Sequence, residues 1–269
     1  MLKDITFGQY FEGNSALHRA DPRIKIISMI WLIVFIFVSG NFYSLLLSSF
    51  FVLSVLLLSR IKLKMYLKNL KAILPVLIFT ALINVFYSET GTVLIDFWKI
   101  TVTTGGLYRS LFMSLRIILL IFISSVLTYT TTPNDLTDGI ESLLSPLKYI
   151  GLKNAVHTLA MMMTIALRFI PTLIEEAEKI MNAQKARGAD LESGGLIQRV
   201  KALIPILIPL LISSVRRASE LAEAMECRCY NGGEGKTRMK QMKLSVVDIF
   251  VSLVCISYGI LIILLNILL

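Results

Sequence analysis

The sequence is poor in the side chains that carry most enzyme and metal chemistry: of 269 residues, 3 are cysteine and 2 are histidine. Cys227 and Cys229 are one residue apart, while His18 and His157 lie far away, so no metal-ligand spacing is present. Three cysteines, the third being Cys255 in an apolar run, also exclude a disulfide-stapled secreted module and read as small helix-packing residues. No Ser, His and carboxylate set can be assembled from spacing, and no paired carboxylates announce acid–base work. Gly235-Lys236-Thr237 resembles the end of a phosphate loop, but the pattern needs glycine where Tyr230 stands, and no hydrophobic strand precedes it. The chain is expected to be a non-enzyme with no cofactor or metal of its own. Charge is scarce as well, at 17% of residues against 55% hydrophobic ones, with a mean hydropathy of +0.74. Those figures exclude a soluble surface, a disordered chain and a nucleic-acid-binding arm.

What is abundant is long apolar sequence. Ile24 to Ser39, Phe42 to Leu58, Ala72 to Tyr87, Leu107 to Leu127 and Val246 to Leu269 predict five membrane spans. Some are shorter than the roughly 20 residues a bilayer core requires, so their helices must take turns from the flanks. Met1 to Arg23 carries Asp4, Glu12, Arg19, Asp21 and Arg23 and has no cleavage pattern, so the first run reads as a retained anchor. Asp21, Pro22 and Arg23 read as an N-cap, a first-turn proline and an interfacial cation.

The net charge of +9 is a topology signal in such a chain. Arg60, Lys62, Lys64, Lys68 and Lys71 crowd the second connection, whereas the third holds Glu89 and Asp96 against Lys99. The second connection, the N-terminus and the segment with Lys236, Arg238, Lys240 and Lys243 are therefore expected to be cytoplasmic, and the C-terminus external. Arg116 lies inside the fourth run, where an ionisable group demands a partner or a wet cavity, and the sequence does not name one.

Between Pro133 and Lys243 the composition changes, with 15 Lys and Arg and 12 Asp and Glu. Pro133 to Tyr149 reads as a helix with Asp135 and Asp138 in its first turns and Lys148 near its end. Val156, Leu159, Met163, Ala166, Ile170, Leu173, Ala177 and Ile180 then form one helical stripe. A second runs through Ile197, Val200, Ile204, Leu207, Leu211, Ser214, Ala218, Leu221 and Met225. Pro171, Pro205 and Pro209 predict helices bent or broken there. Ala155 to Ile174 and Ala202 to Val215 are apolar enough to cross and return, which keeps a seven-span alternative open. His157 and Arg168 oppose it, since a mid-bilayer Arg costs about 2.5–3.5 kcal/mol.

Each stripe runs out toward an arginine between small residues, Ala186-Arg187-Gly188 and Cys227-Arg228-Cys229. A helix tip of this kind can enter a groove and pair with a carboxylate or with helix-end carbonyls of another protein. An Arg complementing the helix dipole before a Gly cap is the plainer reading of either tip alone. The device occurs twice, 41 residues apart.

At these residues the chain closely resembles the transmembrane coupling (T) subunit of energy-coupling factor transporters, the vitamin and metal uptake branch of the ABC systems. The resemblance covers essentially the whole chain. It rests on Leu17-His18-Arg19-Ala20-Asp21-Pro22-Arg23-Ile24-Lys25, on Gln184-Lys185-Ala186-Arg187-Gly188-Ala189-Asp190 and on Leu221 to Tyr230. It implies an all-α membrane protein of about five transmembrane helices, with residues 1–132 and 244–269 in the membrane and 133–243 forming a cytoplasmic coupling module of long helices. It further implies that Arg187 and Arg228, with Ala186, Gly188, Cys227 and Cys229, dock into two ABC ATPase subunits, which bind the ATP. A small membrane-embedded substrate-binding (S) subunit, exchangeable among several, would sit on the same helices. Cys227 and Cys229 depart from the family's usual Ala-Arg-small tip. An ordinary importer permease is the alternative, but the E-A-A-x-x-x-G loop is absent: after Glu176-Ala177 the next glycine is Gly188. An intramembrane enzyme would need Asn84, Arg116 and Asp248, on different segments, to converge.

Overall fold

The structure, a computed structural model, describes residues 10–87, 92–97, 100–146, 153–189, 195–230, 242 and 244–268. Lys148, Asp190, the 235–237 segment, and Glu89, Lys99, Lys236, Arg238, Lys240 and Lys243 of the charge argument lie outside them. The elements run α1 (Ala16–Arg19), α2 (Pro22–Val38), α3 (Phe42–Ser59), α4 (Leu63–Tyr87), β1 (Val93–Phe97), β2 (Ile100–Thr103), α5 (Thr104–Thr130), α6 (Pro133–Leu143), α7 (Lys153–Ala186), α8 (Leu196–Glu226) and α9 (Val246–Leu268). The chain is a helical membrane protein, as expected, apart from the short antiparallel pair β1–β2 in the third connection. It divides into two compact units, residues 10–139 with 242–268, and residues 140–230.

In the first unit the apolar runs become helices whose outward faces stay apolar. Ile30, Phe37, Phe50 and Leu57 are 54–72% exposed, the surface a bilayer covers. Leu32, Ile36, Leu45, Val52, Leu119, Ile123 and Ile262 of α2, α3, α5 and α9 form the core. Small residues let backbones approach: Ser44, Ser48 and Ser59 of α3 are fully buried, and a Cβ on Gly259 would stand 2.9 Å from Trp31 and 3.0 Å from Phe35. Hydrogen bonds tie the helices, with the Tyr258 hydroxyl donating to Ser48 Oγ at 2.8 Å and Trp31 Nε1 to the Cys255 carbonyl at 3.1 Å.

Two boundaries differ from expectation. α4 begins at Leu63, so Lys64, Lys68 and Lys71 belong to a helix rather than to the connection, which shrinks to Arg60–Lys62. Arg60 supplies the reversal in the left-handed region, at φ 57°. The helix expected over Pro133 to Tyr149 stops at Leu143. Nor do the prolines break their helices: α7 runs continuously through Pro171 and α8 through Pro205 and Pro209.

Six helices contain stretches long and apolar enough to cross a membrane: α3, α4, α5, α7, α8 and α9. α7 and α8 are the least apolar, with mean hydropathy 1.4 and 1.5 against 2.0–2.5 for the others. α2 has 17 residues, about 26 Å of rise, and reaches a bilayer's thickness only with its flanks.

Candidate functional site

Both arginine tips end in the same backbone motif. At the end of α7, Gly188 is left-handed at φ 81°, its N–H donates to Lys185 O at 3.0 Å, and Ala189 N–H donates to Gln184 O at 3.0 Å. At the end of α8, Cys229 is left-handed at φ 53°, its N–H donates to Glu226 O at 2.8 Å, and Tyr230 N–H donates to Met225 O at 3.1 Å. These paired bonds define a Schellman cap, with Arg187 and Arg228 in the same place, one residue before the reversal. The six tip residues therefore superpose in role: Ala186 with Cys227, Arg187 with Arg228, Gly188 with Cys229. All six are exposed, and neither guanidinium has a hydrogen bond or ion pair among the described residues. Gly188 takes the left-handed backbone without a steric penalty, whereas Cys229 bears one of about 1–2 kcal/mol.

Within the same unit α7 and α8 pack against each other in opposite directions. Arg217 Nη2 donates to Glu176 Oε2 at 2.6 Å, Ser213 donates to the other carboxylate oxygen, and the Tyr230 hydroxyl donates to Met161 Sδ at 2.9 Å. As the α8 number rises from 217 to 230, the partner on α7 falls from 176 to 161. The tips consequently face opposite ends of the pair: Tyr230 anchors the second beside Met161, and the 26 residues from there to Arg187 rise about 39 Å. The tips are not brought together into one site; they are set apart on a shared frame.

The stripe predicted on α8 is only partly the packed face. Val200, Leu207 and Leu211 are 56–66% exposed, whereas Ile206, outside the stripe, is 4% exposed. The first half of α8 is apolar on more than one side, and its outer side is exposed among the described residues. His157 of α7 approaches Glu141 at 3.5 Å, which accounts for one polar group that opposed a spanning α7; Arg168 is exposed.

The first unit holds a polar cluster that sequence reasoning did not assemble. Asp248 is 1% exposed; its Oδ1 accepts from Asp21 N–H and its Oδ2 from Ser245 N–H, each at 2.7 Å. One carboxylate thus binds the start of its own helix and the N-cap residue of α2, 227 residues away. Asp21 in turn accepts from Arg23 N–H at 2.9 Å, the N-cap that the sequence predicts. Lys25 donates to Thr130 O at 3.0 Å and His18 O at 3.3 Å, with Asp135, Asp248 and Asp21 supplying the compensating charge. Ser245-x-x-Asp248 has the capping-box spacing and was legible; the bond to Asp21 was not. Arg116 finds its partner at the other end of the bundle, donating to Ser39 O at the end of α2 with its guanidinium 4.8 Å over the Phe112 ring. These contacts tie α5 to the end of α2. Among the described residues Asn84 bonds within its own helix, to Thr80 O, while Arg116 and Asp248 lie at opposite ends of the bundle, so these three side chains do not meet.

The family model described as CbiQ, cobalt transport protein, matches residues 13–242. The chain belongs to this family. The energy-coupling factor transporter transmembrane protein EcfT of Ruminiclostridium cellulolyticum is 51% identical over 252 residues, spanning 94% of this chain and 93% of the relative. Its namesakes from Clostridium kluyveri and Bacillus subtilis are 51% and 42% identical over 263 and 259 residues, each spanning 96% of this chain and 97% of the relative. The resemblance read in the Leu17, Gln184 and Leu221 motifs holds, and the CbiQ-family chain is a multi-pass membrane component of a multi-subunit transporter.

Proposed function

We propose that this chain is the coupling subunit of an energy-coupling factor importer. The Arg187 tip docks on one cytoplasmic ABC ATPase subunit and the Arg228 tip on the other, while a separate membrane-embedded substrate-binding subunit for a vitamin or metal ion rests on the exposed apolar side of α8. The observation that carries this reading is the twin cap: two exposed guanidiniums without partners among the described residues, held in the same Schellman geometry on helices that run in opposite directions. That arrangement suits two like receptor grooves far apart better than one shared ligand. ATP-driven closure of the ATPase pair then moves the tips, the Glu176–Arg217 tie makes α7 and α8 move together, and the surface offered to the substrate-binding subunit changes.

The orientation follows the loop charges, with the N-terminus and residues 140–230 cytoplasmic and the C-terminus external. α7 and α8 are read as non-spanning because they are the least apolar of the candidates and carry exposed Arg168. Co-purification of the ATPase subunits tests the docking role. Arg187→Glu and Arg228→Glu each weaken recovery and the pair abolishes it; undiminished recovery with both changes refutes the role. A cysteine at Ala189 in a chain lacking native cysteines is labelled only from the cytoplasmic side; external labelling would contradict the orientation.

A further inference from the structure

The first unit contains an apolar cavity of about 180 Å3 lined by α1, α2, α3, α5 and α9. Its lining includes Phe51, stacked on Tyr258 with ring centroids 4.4 Å apart, and the hydrogen-bonded pair Lys25 and Thr130. Lys25 is the one charged residue in the lining. Two lining residues, Leu58 of α3 and Phe250 of α9, are also 59% and 69% exposed, so the cavity opens sideways between these helices onto the surface that the bilayer covers. An apolar cavity of this size gives water no hydrogen-bond partners, and what lies outside its opening is hydrocarbon.

The acidic groups at this end, Asp21, Asp135 and Asp248, act on Lys25 and leave two exposed arginines to mark the surface. Arg19 follows the lining residue Leu17 by two positions and Arg60 follows Leu58 by two; both are exposed, with no ion-pair partner among the described residues. Between Asp21 and Glu89 the sequence has no acidic residue at all. We infer that the cavity is a phospholipid site: one acyl chain enters between α3 and α9 to lie between Phe51 and Lys25, and an anionic headgroup sits at Arg19 and Arg60. The combination matches a diacyl lipid with a phosphate of net negative charge, such as phosphatidylglycerol, better than a zwitterionic one. The lipid belongs to the leaflet at the Arg19–Arg60 end. The site does not depend on the coupling role proposed above, and its test reads neither ATPase binding nor transport.

The full chain, purified in mild detergent from membranes containing phosphatidylglycerol, retains about one such lipid per chain by native mass spectrometry. Val254→Phe, which fills the cavity, lowers retention at least fivefold. Arg19→Gln with Arg60→Gln, both on the exposed surface, lowers the preference for phosphatidylglycerol over phosphatidylcholine to near unity. In a delipidated sample, added phosphatidylglycerol raises the melting temperature of the parent chain but not that of Val254→Phe. Unchanged retention in the filled variant overturns the cavity assignment. Equal retention of the two lipids by the parent, or retention of a free fatty acid instead, overturns the headgroup assignment.

Discussion

Removing the Asp248 carboxylate is the most severe single change the first unit offers. The side chain is 1% exposed and accepts two backbone N–H bonds of 2.7 Å, one from Ser245 and one from Asp21. Hydrogen bonds to a charged group contribute about 1.5–3 kcal/mol each, and a buried donor left without a partner bears its full desolvation cost. Asp248→Ala orphans both donors and takes one counter-charge from Lys25, for a loss of about 3–5 kcal/mol. Asp248→Asn keeps one acceptor but turns a donor toward the second N–H, so about 2 kcal/mol is lost. At roughly 2–4 °C per kcal/mol for a chain of this size, the alanine variant melts about 6–20 °C lower and the asparagine variant about 4–8 °C lower. The chain supplies its own reporter: Cys255 is 6% exposed in the same helix, so a maleimide dye reacts with it only on unfolding. The exposed Cys227 and Cys229 are first replaced by serine. If Asp248→Ala melted within about 2 °C of its parent, the double cap would not be holding α2 to α9.

The remaining predictions concern the tips and the interhelical ties. Cys229→Gly relieves the left-handed backbone and stabilises the second tip by about 0.5–1 kcal/mol, slowing hydrogen exchange at residues 228–230 roughly two- to fivefold, while Gly188→Ala speeds it at the first tip. Arg217→Met removes an ion pair whose arginine is 37% exposed, so the loss is held to about 0.5–1 kcal/mol, read as the coupling term in a double-mutant cycle with Glu176→Gln. Arg116→Met uncaps the end of α2 and forfeits the contact with Phe112, lowering the melting temperature by about 2–8 °C without altering ATPase recovery.

Periodicity and caps made most of the helices legible. Asp21 before Pro22 announced the start of α2, and the five apolar runs each lie within a helix or nearly coincide with one. Lysines misled at α4 because Lys64, Lys68 and Lys71, spaced by four and three, share one helix face, and charge counting treated that face as a loop. Of the bends or breaks expected at Pro171, Pro205 and Pro209, no break forms, because a helix interior can forgo single hydrogen bonds when packing holds the rest. The tips were visible as repeated Ala-Arg-Gly and Cys-Arg-Cys sequences, but their equivalence is a backbone property: nothing in a cysteine at 229 announces a residue with φ 53°. The partners of Asp248, Arg116 and Glu176 lie 227, 77 and 41 residues away, and spacing rules based on one helix or one turn do not reach that far.

Photo-crosslinking from within the assembled transporter addresses the docking of the two tips without disturbing their charge. A photoreactive residue placed at Ala186 and, separately, at Cys227 should each crosslink to an ATPase subunit, with yields that change when ATP is bound. The same residue at exposed Leu211, in mid-helix on α8, should give no ATPase adduct. Adducts from mid-helix and none from either tip would contradict the account.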